Sequence, residues 1–249
     1  MMLPTALAFA LVAFLYASVG FGGGSSYTAI LMEAGLSWQM VPPLSLACNI
    51  IVVSGGVYHF ANSGHLDLRF ATPLVAVSVP ASFFGGYLSL QQPTFLLVLG
   101  VALLVSGVLM LLDWQWPQGD AVPRKPGTAG LASLGLLLGG LAGMTGIGGG
   151  IYLAPILHFF RMAPAKTVAA TSSLFILVNS LSGFAGQVAK LGAEAQVLLS
   201  TEYLLLPLAV LLGGQAGSRI GATRLPAAPI RRLTGLVVLV VSGRILWQV

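Results

Sequence analysis

Two stretches of backbone, rather than a cluster of reactive side chains, are where this sequence could do chemistry. VGFGGGSSY runs from Val19 to Tyr27 and TGIGGGIY from Thr145 to Tyr152. Each sets three consecutive glycines in an apolar run that would otherwise read as helix. Glycine accepts φ > 0 and lets a ligand approach the main chain closely. The helices that resume after the breaks start near Ser25 and near Ile151. Their first N–H groups lack intrahelical partners and carry the positive end of the helix dipole. Such a terminus is an anion site. Two of them meeting at midplane would make one site from Gly22, Gly23, Gly24, Ser25 and Ser26 with Gly148, Gly149, Gly150 and Ile151.

The span after each break adds polar but uncharged groups: Ser45, Asn49 and Ser54, then Thr171, Ser172, Ser173, Asn179 and Ser180. Hydroxyls and amides can donate to a desolvated oxyanion without the burial cost of a full charge. Asn49, Thr171, Ser172, Ser173 and Asn179 therefore join the candidate substrate-binding set. Their alternative role is interhelical bonding or back-bonding to their own helix. The pairs at 55–56, 85–86, 139–140 and 213–214 read instead as close-packing glycines.

No Lys or Arg falls in the middle of a span, and Glu33, Asp67, Asp113, Asp120, Glu194 and Glu202 map near segment ends. An intramembrane proton relay is not expected. His59 is the best protonation candidate, with His65 and His158 at loops or interfaces. The lone Cys48 excludes an intramolecular disulfide and reads as a buried structural thiol. No metal and no cofactor is expected.

The elements that must position these groups are membrane helices. The chain has 249 residues, 57% apolar and 7% charged, with mean hydropathy +0.95. That composition defines an all-α integral membrane protein with no room for a sizeable soluble domain. Continuous apolar runs exclude a β-barrel. Spans are expected at 41–60, 70–90, 94–112, 165–188, 197–219 and 230–247, with broken segments at 3–36 and 128–160. The apolar N-terminus has no preceding Lys or Arg, so it reads as mature fold rather than a leader. The net charge of +5 sits between or at the ends of spans, where it sets orientation; nucleic-acid binding has no support.

The order of features repeats. Pro42, Asn49 and the SGG at 54–56 follow the first break; Pro164, Asn179 and the SG at 182–183 follow the second. A VSG closes each half, at 105–107 and 241–243. The halves are 1–112 and 128–249, joined by a polar, proline-rich linker at 113–127. If both broken segments cross fully, basic residues divide five against six between the two faces. If both are re-entrant, nine stand against two, with only Lys190 and Arg244 opposed to the rest. The second division is what the positive-inside rule expects. It gives two inverted repeats, each a glycine-broken re-entrant helix pair plus three transmembrane helices, with both termini outside a bacterial inner membrane. Inverted repeats with interrupted helices at midplane are a recurring transporter plan.

Gly20-Phe21-Gly22-Gly23-Gly24, Gly146-Ile147-Gly148-Gly149-Gly150, Ala170-Thr171-Ser172-Ser173 and the HLD of His65 to Asp67 together resemble the TauE/SafE, or sulfite exporter, family. The resemblance covers almost the whole chain. It implies secondary transport of sulfite, sulfoacetate or a related sulfur-containing anion, commonly outward. The first half departs from the pattern at Ala47-Cys48-Asn49, where the family has something like a Thr-Ser pair. Partners are thus a small inorganic or organosulfur anion and the bilayer, and a homo-oligomer is compatible with the sequence.

Two other functions compete. An anion channel would display charge rings or a long uncharged pore, and neither is present. An intramembrane serine hydrolase could draw on Ser25, Ser26 and His59, but the G-x-S-x-G elbow and an acidic orienter are absent. The chain is not expected to be an enzyme.

Overall fold

The computed structural model describes residues 2–17, 21–111, 127–221 and 227–247. The linker up to 126, with Arg124 and Lys125, lies outside the described residues, as do Arg224 and the side chains of His158, Arg231 and Arg232. The helices are α1 (Met2–Ala17), α2 (Gly24–Glu33), α3 (Val41–Asn62), α4 (Leu68–Tyr87), α5 (Gln92–Leu111), α6 (Thr128–Thr145), α7 (Gly150–Phe159), α8 (Ala165–Leu191), α9 (Thr201–Gly221) and α10 (Ala227–Leu246). Among the described residues, α3, α4, α5, α6 and α8 are each long and apolar enough to cross a membrane.

Local chemistry sets the boundaries. Pro42 and Pro43 occupy the first turn of α3, where a missing N–H costs nothing. Asp67 caps α4, its carboxylate accepting from the amides of Arg69 at 2.9 Å and Phe70 at 3.2 Å. Gly192, at φ +56, closes α8. A 3₁₀ segment, Gly192–Leu199, follows with no buried residue, so α9 starts four residues later than the expected span.

Glycines let backbones touch and thereby fix helix directions. Gly135, Gly139 and Gly143 of α6 face the carbonyls of Leu74, Ser78 and Ser82 in step, so α4 and α6 run parallel. Gly213 and Gly217 of α9 face the carbonyls of Ala10 and Phe14, so α1 and α9 run parallel too. Ser182 donates to the Val79 carbonyl at 2.6 Å and Gly186 faces Phe83, which aligns α8 with α4. Gly56 faces Ser173 while Gly183 faces Leu46, so α3 opposes α8. Ser242 donates to the Gly100 carbonyl at 2.8 Å and Gly107 faces Leu239, so α10 opposes α5.

Both short helices fold back. Tyr16 bonds to Ser25 and Ser26 while Phe9 stacks on Tyr27 with centroids 4.6 Å apart, so α2 returns along α1. Gly148 faces Ser180 and Gly150 faces Ile176, so α7 descends along α8, which runs with α6. Helix direction therefore alternates from α1 to α10. The ends carrying Arg69, Arg161, Lys166 and Arg219 gather at one face of the bundle, and those carrying Lys190 and Arg244 at the other.

The packing pairs also interchange. α1 with α9 matches α6 with α4, α3 with α9 matches α8 with α4, and α2 with α10 matches α7 with α5. α3 on α8 and α5 on α10 map onto themselves. Large apolar side chains face outward as well as inward, and uncharged polar groups are kept inside. Leu136, Leu137, Leu208, Leu212 and Val240 point outward, while Ser45, Asn49, Ser82, Thr171, Ser172, Asn179 and Gln187 are buried. Apolar surface outside and polar side chains kept away from lipid is the arrangement a bilayer demands.

Candidate functional site

The first break is built around one carbonyl. Gly23, at φ +96, precedes α2, a conformation that strains any side chain. The Gly24 carbonyl accepts from Thr28 Oγ1 at 2.8 Å and from Ser45 Oγ at 3.0 Å. Ser25 and Ser26 do not offer free hydroxyls: both bond to the Tyr16 hydroxyl, at 3.2 and 2.9 Å. Hydroxyls here serve the fold.

The second break turns more sharply. Gly146, Gly148 and Gly149 have φ of +79, +80 and +82. The Gly149 carbonyl accepts the amides of Tyr152 and Leu153, which starts α7 at Gly150. On α8, which packs against it, Thr171 Oγ1, Ser172 Oγ and Ser180 Oγ are buried with no partner among the described residues, and Ser180 lies beside Gly148; at the first break the Tyr27 hydroxyl, beside Gly23, is likewise buried without one. A buried hydroxyl without a partner loses its hydration and gains nothing in exchange. Such groups in a folded chain require an explanation, and a ligand is one.

Asn49 joins the two breaks. From the middle of α3 its Nδ2 donates to the Ile147 carbonyl at 3.1 Å, inside the other half's glycine run. The same amide fills the space beside Gly22, Gly24 and Gly148. A Cβ at Gly24 would stand 2.6 Å from the Ile147 oxygen, so the breaks are in direct apposition. Asn49 Oδ1 is buried and has no partner among the described residues.

The remaining predicted residues divide. Ile151 is buried in an apolar cluster with Leu153, Leu157 and Phe175, and contributes packing. Ser173 is buried and faces Gly56 of α3. Asn179 donates to the Phe175 carbonyl of its own helix at 2.8 Å, and its Oδ1 has no partner. Ser54 is exposed and bonds back to Ile50, away from the breaks. His59 is exposed beside Tyr58, ten residues beyond Asn49 and about 15 Å further along the helix. No Ser–His pair forms between it and Ser25 or Ser26. Sequence reasoning missed Tyr27 and Tyr152, although each glycine run ends on a tyrosine. It also missed Tyr16 and Thr28, which carry no signal beyond their helical setting. Among the described residues no group of His, Cys, Asp or Glu could hold a metal.

An apolar exterior, a hydroxyl- and amide-lined interior and two interrupted hairpins in contact define a polytopic helical membrane protein. The family profile described as "Sulfite exporter TauE/SafE" matches residues 5–245. The chain belongs to that family of membrane transporters. It is 31% identical to "Probable membrane transporter protein y4hK" of Sinorhizobium fredii, over 97% of each chain. Two proteins called "Probable membrane transporter protein", from two strains of Xylella fastidiosa, are each 26% identical, over 91% of this chain and 88% of theirs. No solved structure matches the chain.

Proposed function

We propose that the protein is a secondary transporter of a small anion, sulfite, sulfoacetate or a related sulfur-containing anion, bound where the two breaks meet. The observation that carries this reading is Asn49 of α3, beside the first break, reaching the Ile147 carbonyl in the second, with the buried Ser180 hydroxyl, which has no partner among the described residues, beside the same glycine run. The amides that begin α2 and α7 supply the positive dipole ends, and Ser172, Ser180 and Thr171 supply donors. Ser25 and Ser26 contribute main-chain N–H groups, their hydroxyls being spent on Tyr16. Neutral donors suit a site that must release its cargo. The family's description supports an anion as substrate, and sulfur enters on that ground.

The alternating helix directions and interchanging pairs support two inverted repeats, 1–112 and 128–249, with re-entrant openings. The face gathering Arg69, Arg161, Lys166 and Arg219 is then cytoplasmic, and both termini are periplasmic, in a bacterial inner membrane. Asn49, Ser172 and Ser180 are fully buried, so a ligand reaches them only when the bundle opens on one side. Flux of radiolabelled sulfite into proteoliposomes tests the reading. Saturable, counter-ion-dependent uptake that disappears in Gly149→Val is expected. Non-saturating conductance would favour a channel instead, and flux indifferent to Gly149→Val would remove the site.

A further inference from the structure

We propose that the anion this site takes carries a hydrogen-bond donor of its own, as a monoanion bearing an O–H or N–H group rather than a bare oxyanion. The inference rests on the anion-transport reading and narrows its substrate class. It starts from the orientation of Asn49. The Ile147 carbonyl can only accept, so the amide atom 3.1 Å from it is the NH₂ group. That bond leaves Oδ1 turned to the Gly22 side, fully buried and without a partner among the described residues. Asn179 repeats the arrangement: its Nδ2 donates to the Phe175 carbonyl at 2.8 Å, and its Oδ1 is buried without a partner.

An amide oxygen accepts and cannot donate. Ser172, Ser180 and Thr171 can turn their hydroxyls either way and so satisfy an anion's oxygens. Asn49 Oδ1 can be satisfied only by a group that brings a proton. A fully ionised oxyanion has acceptors alone, and its oxygens would face the lone pairs of Oδ1. Charge argues the same way. Among the described residues no Lys, Arg or His is buried. Without a countercharge, desolvation cost rises as the square of the ligand's charge, which penalises a dianion four times as heavily as a monoanion. Hydrogensulfite, or a sulfonate bearing an amino or hydroxyl group, meets both conditions.

The test compares sulfamate with methanesulfonate on the purified full-length protein in detergent, at constant pH and ionic strength. Both are tetrahedral monoanions of similar size, and only sulfamate has N–H donors. Thermal unfolding should show saturable stabilisation by sulfamate with a half-saturating concentration about tenfold below that for methanesulfonate. Sulfite should stabilise more strongly as pH falls through its second ionisation. In Asn49→Ala the preference for sulfamate should vanish; should that variant fail to fold, the wild-type comparison decides alone. Equal stabilisation by the two monoanions overturns the donor requirement and leaves the anion reading standing. Stabilisation by none of the three anions overturns both.

Discussion

The two glycine breaks share a sequence pattern and differ in how their polar groups are used. At the first, four side-chain hydroxyls are engaged, Ser25 and Ser26 on Tyr16, Thr28 and Ser45 on the Gly24 carbonyl, while the buried Tyr27 hydroxyl beside Gly23 has no partner among the described residues. At the second, Ser180, beside the left-handed Gly148, and Thr171 and Ser172 of the same helix are buried with no partner among the described residues. The first break is the more heavily braced, and the second carries most of the uncommitted donors. Asn49 spans the difference, since it belongs to the first half and bonds to the second. The two hairpins therefore share a backbone arrangement while their side chains are used differently.

The largest effects should come from filling the space at the glycines of the two breaks. A Cβ at Gly149 would lie 2.7 Å from the Phe175 ring and 3.2 Å from Ala142, at φ +82. Strain and overpacking together place Gly149→Val at about 3 kcal/mol or more. Gly24→Val has no backbone strain but meets Asn49 and the Ile147 carbonyl, for about 1–3 kcal/mol. Both should lower the unfolding midpoint in detergent and abolish flux. A Gly149→Val protein as stable as wild type would mean the second break is not packed as described.

Next come the two asparagines. Asn49→Leu strands the Ile147 carbonyl and cuts the bond between the halves, so about 1–3 kcal/mol should be lost along with flux. Asn179→Leu removes a bond to a carbonyl of the same helix, and should cost about 0.5–1.5 kcal/mol. Denaturant midpoints for the two variants, measured side by side, check the ordering. If Asn179→Leu proves the more damaging, the link between halves runs through α8 rather than α3.

A sharper division is expected among the hydroxyls. Ser172→Ala and Ser180→Ala remove groups with no protein partner, so stability should hold or rise slightly while flux falls several-fold. Ser26→Ala removes a 2.9 Å bond to Tyr16 and should lower stability by about 1 kcal/mol, with the flux of the folded protein changing little because its main-chain N–H is kept. Uptake normalised to folded protein, read against the unfolding midpoint, separates the two outcomes. The opposite pattern would exchange the roles assigned to the two breaks.

How much of this was legible in the sequence follows from what each feature depends on. Hydropathy depends on local composition, so the membrane class and helix positions came through, with α2 and α7 starting one residue before the expected Ser25 and Ile151. The glycine runs marked where helices stop because three glycines remove both propensity and side-chain packing. Whether a buried hydroxyl is engaged or uncommitted depends on what lies opposite, and nothing in SSY announces that Tyr16 reaches back to both serines. Asn49 was legible as a buried amide that needed partners. Its bond to Ile147, 98 residues away, was not.

The smallest effect concerns the outer end of the first hairpin. Glu33, at the close of α2, pairs with Arg244 of α10 at 3.0 Å, with side chains 47% and 65% exposed. An ion pair that open to its surroundings is worth about 0–1 kcal/mol, because solvent screens it and both side chains lose rotamer freedom. Glu33→Gln should therefore shift the unfolding midpoint little and leave flux within about twofold of wild type. The hairpin's bracing lies deeper, in Phe9 stacked on Tyr27 and in the Tyr16 bonds. A loss of flux in Glu33→Gln at unchanged stability would relocate control of this half from the break to the membrane surface, making the pair a latch between α2 and α10. Raising the salt concentration should then reproduce the defect in the wild-type protein, since screening acts on the charges and not on the packing.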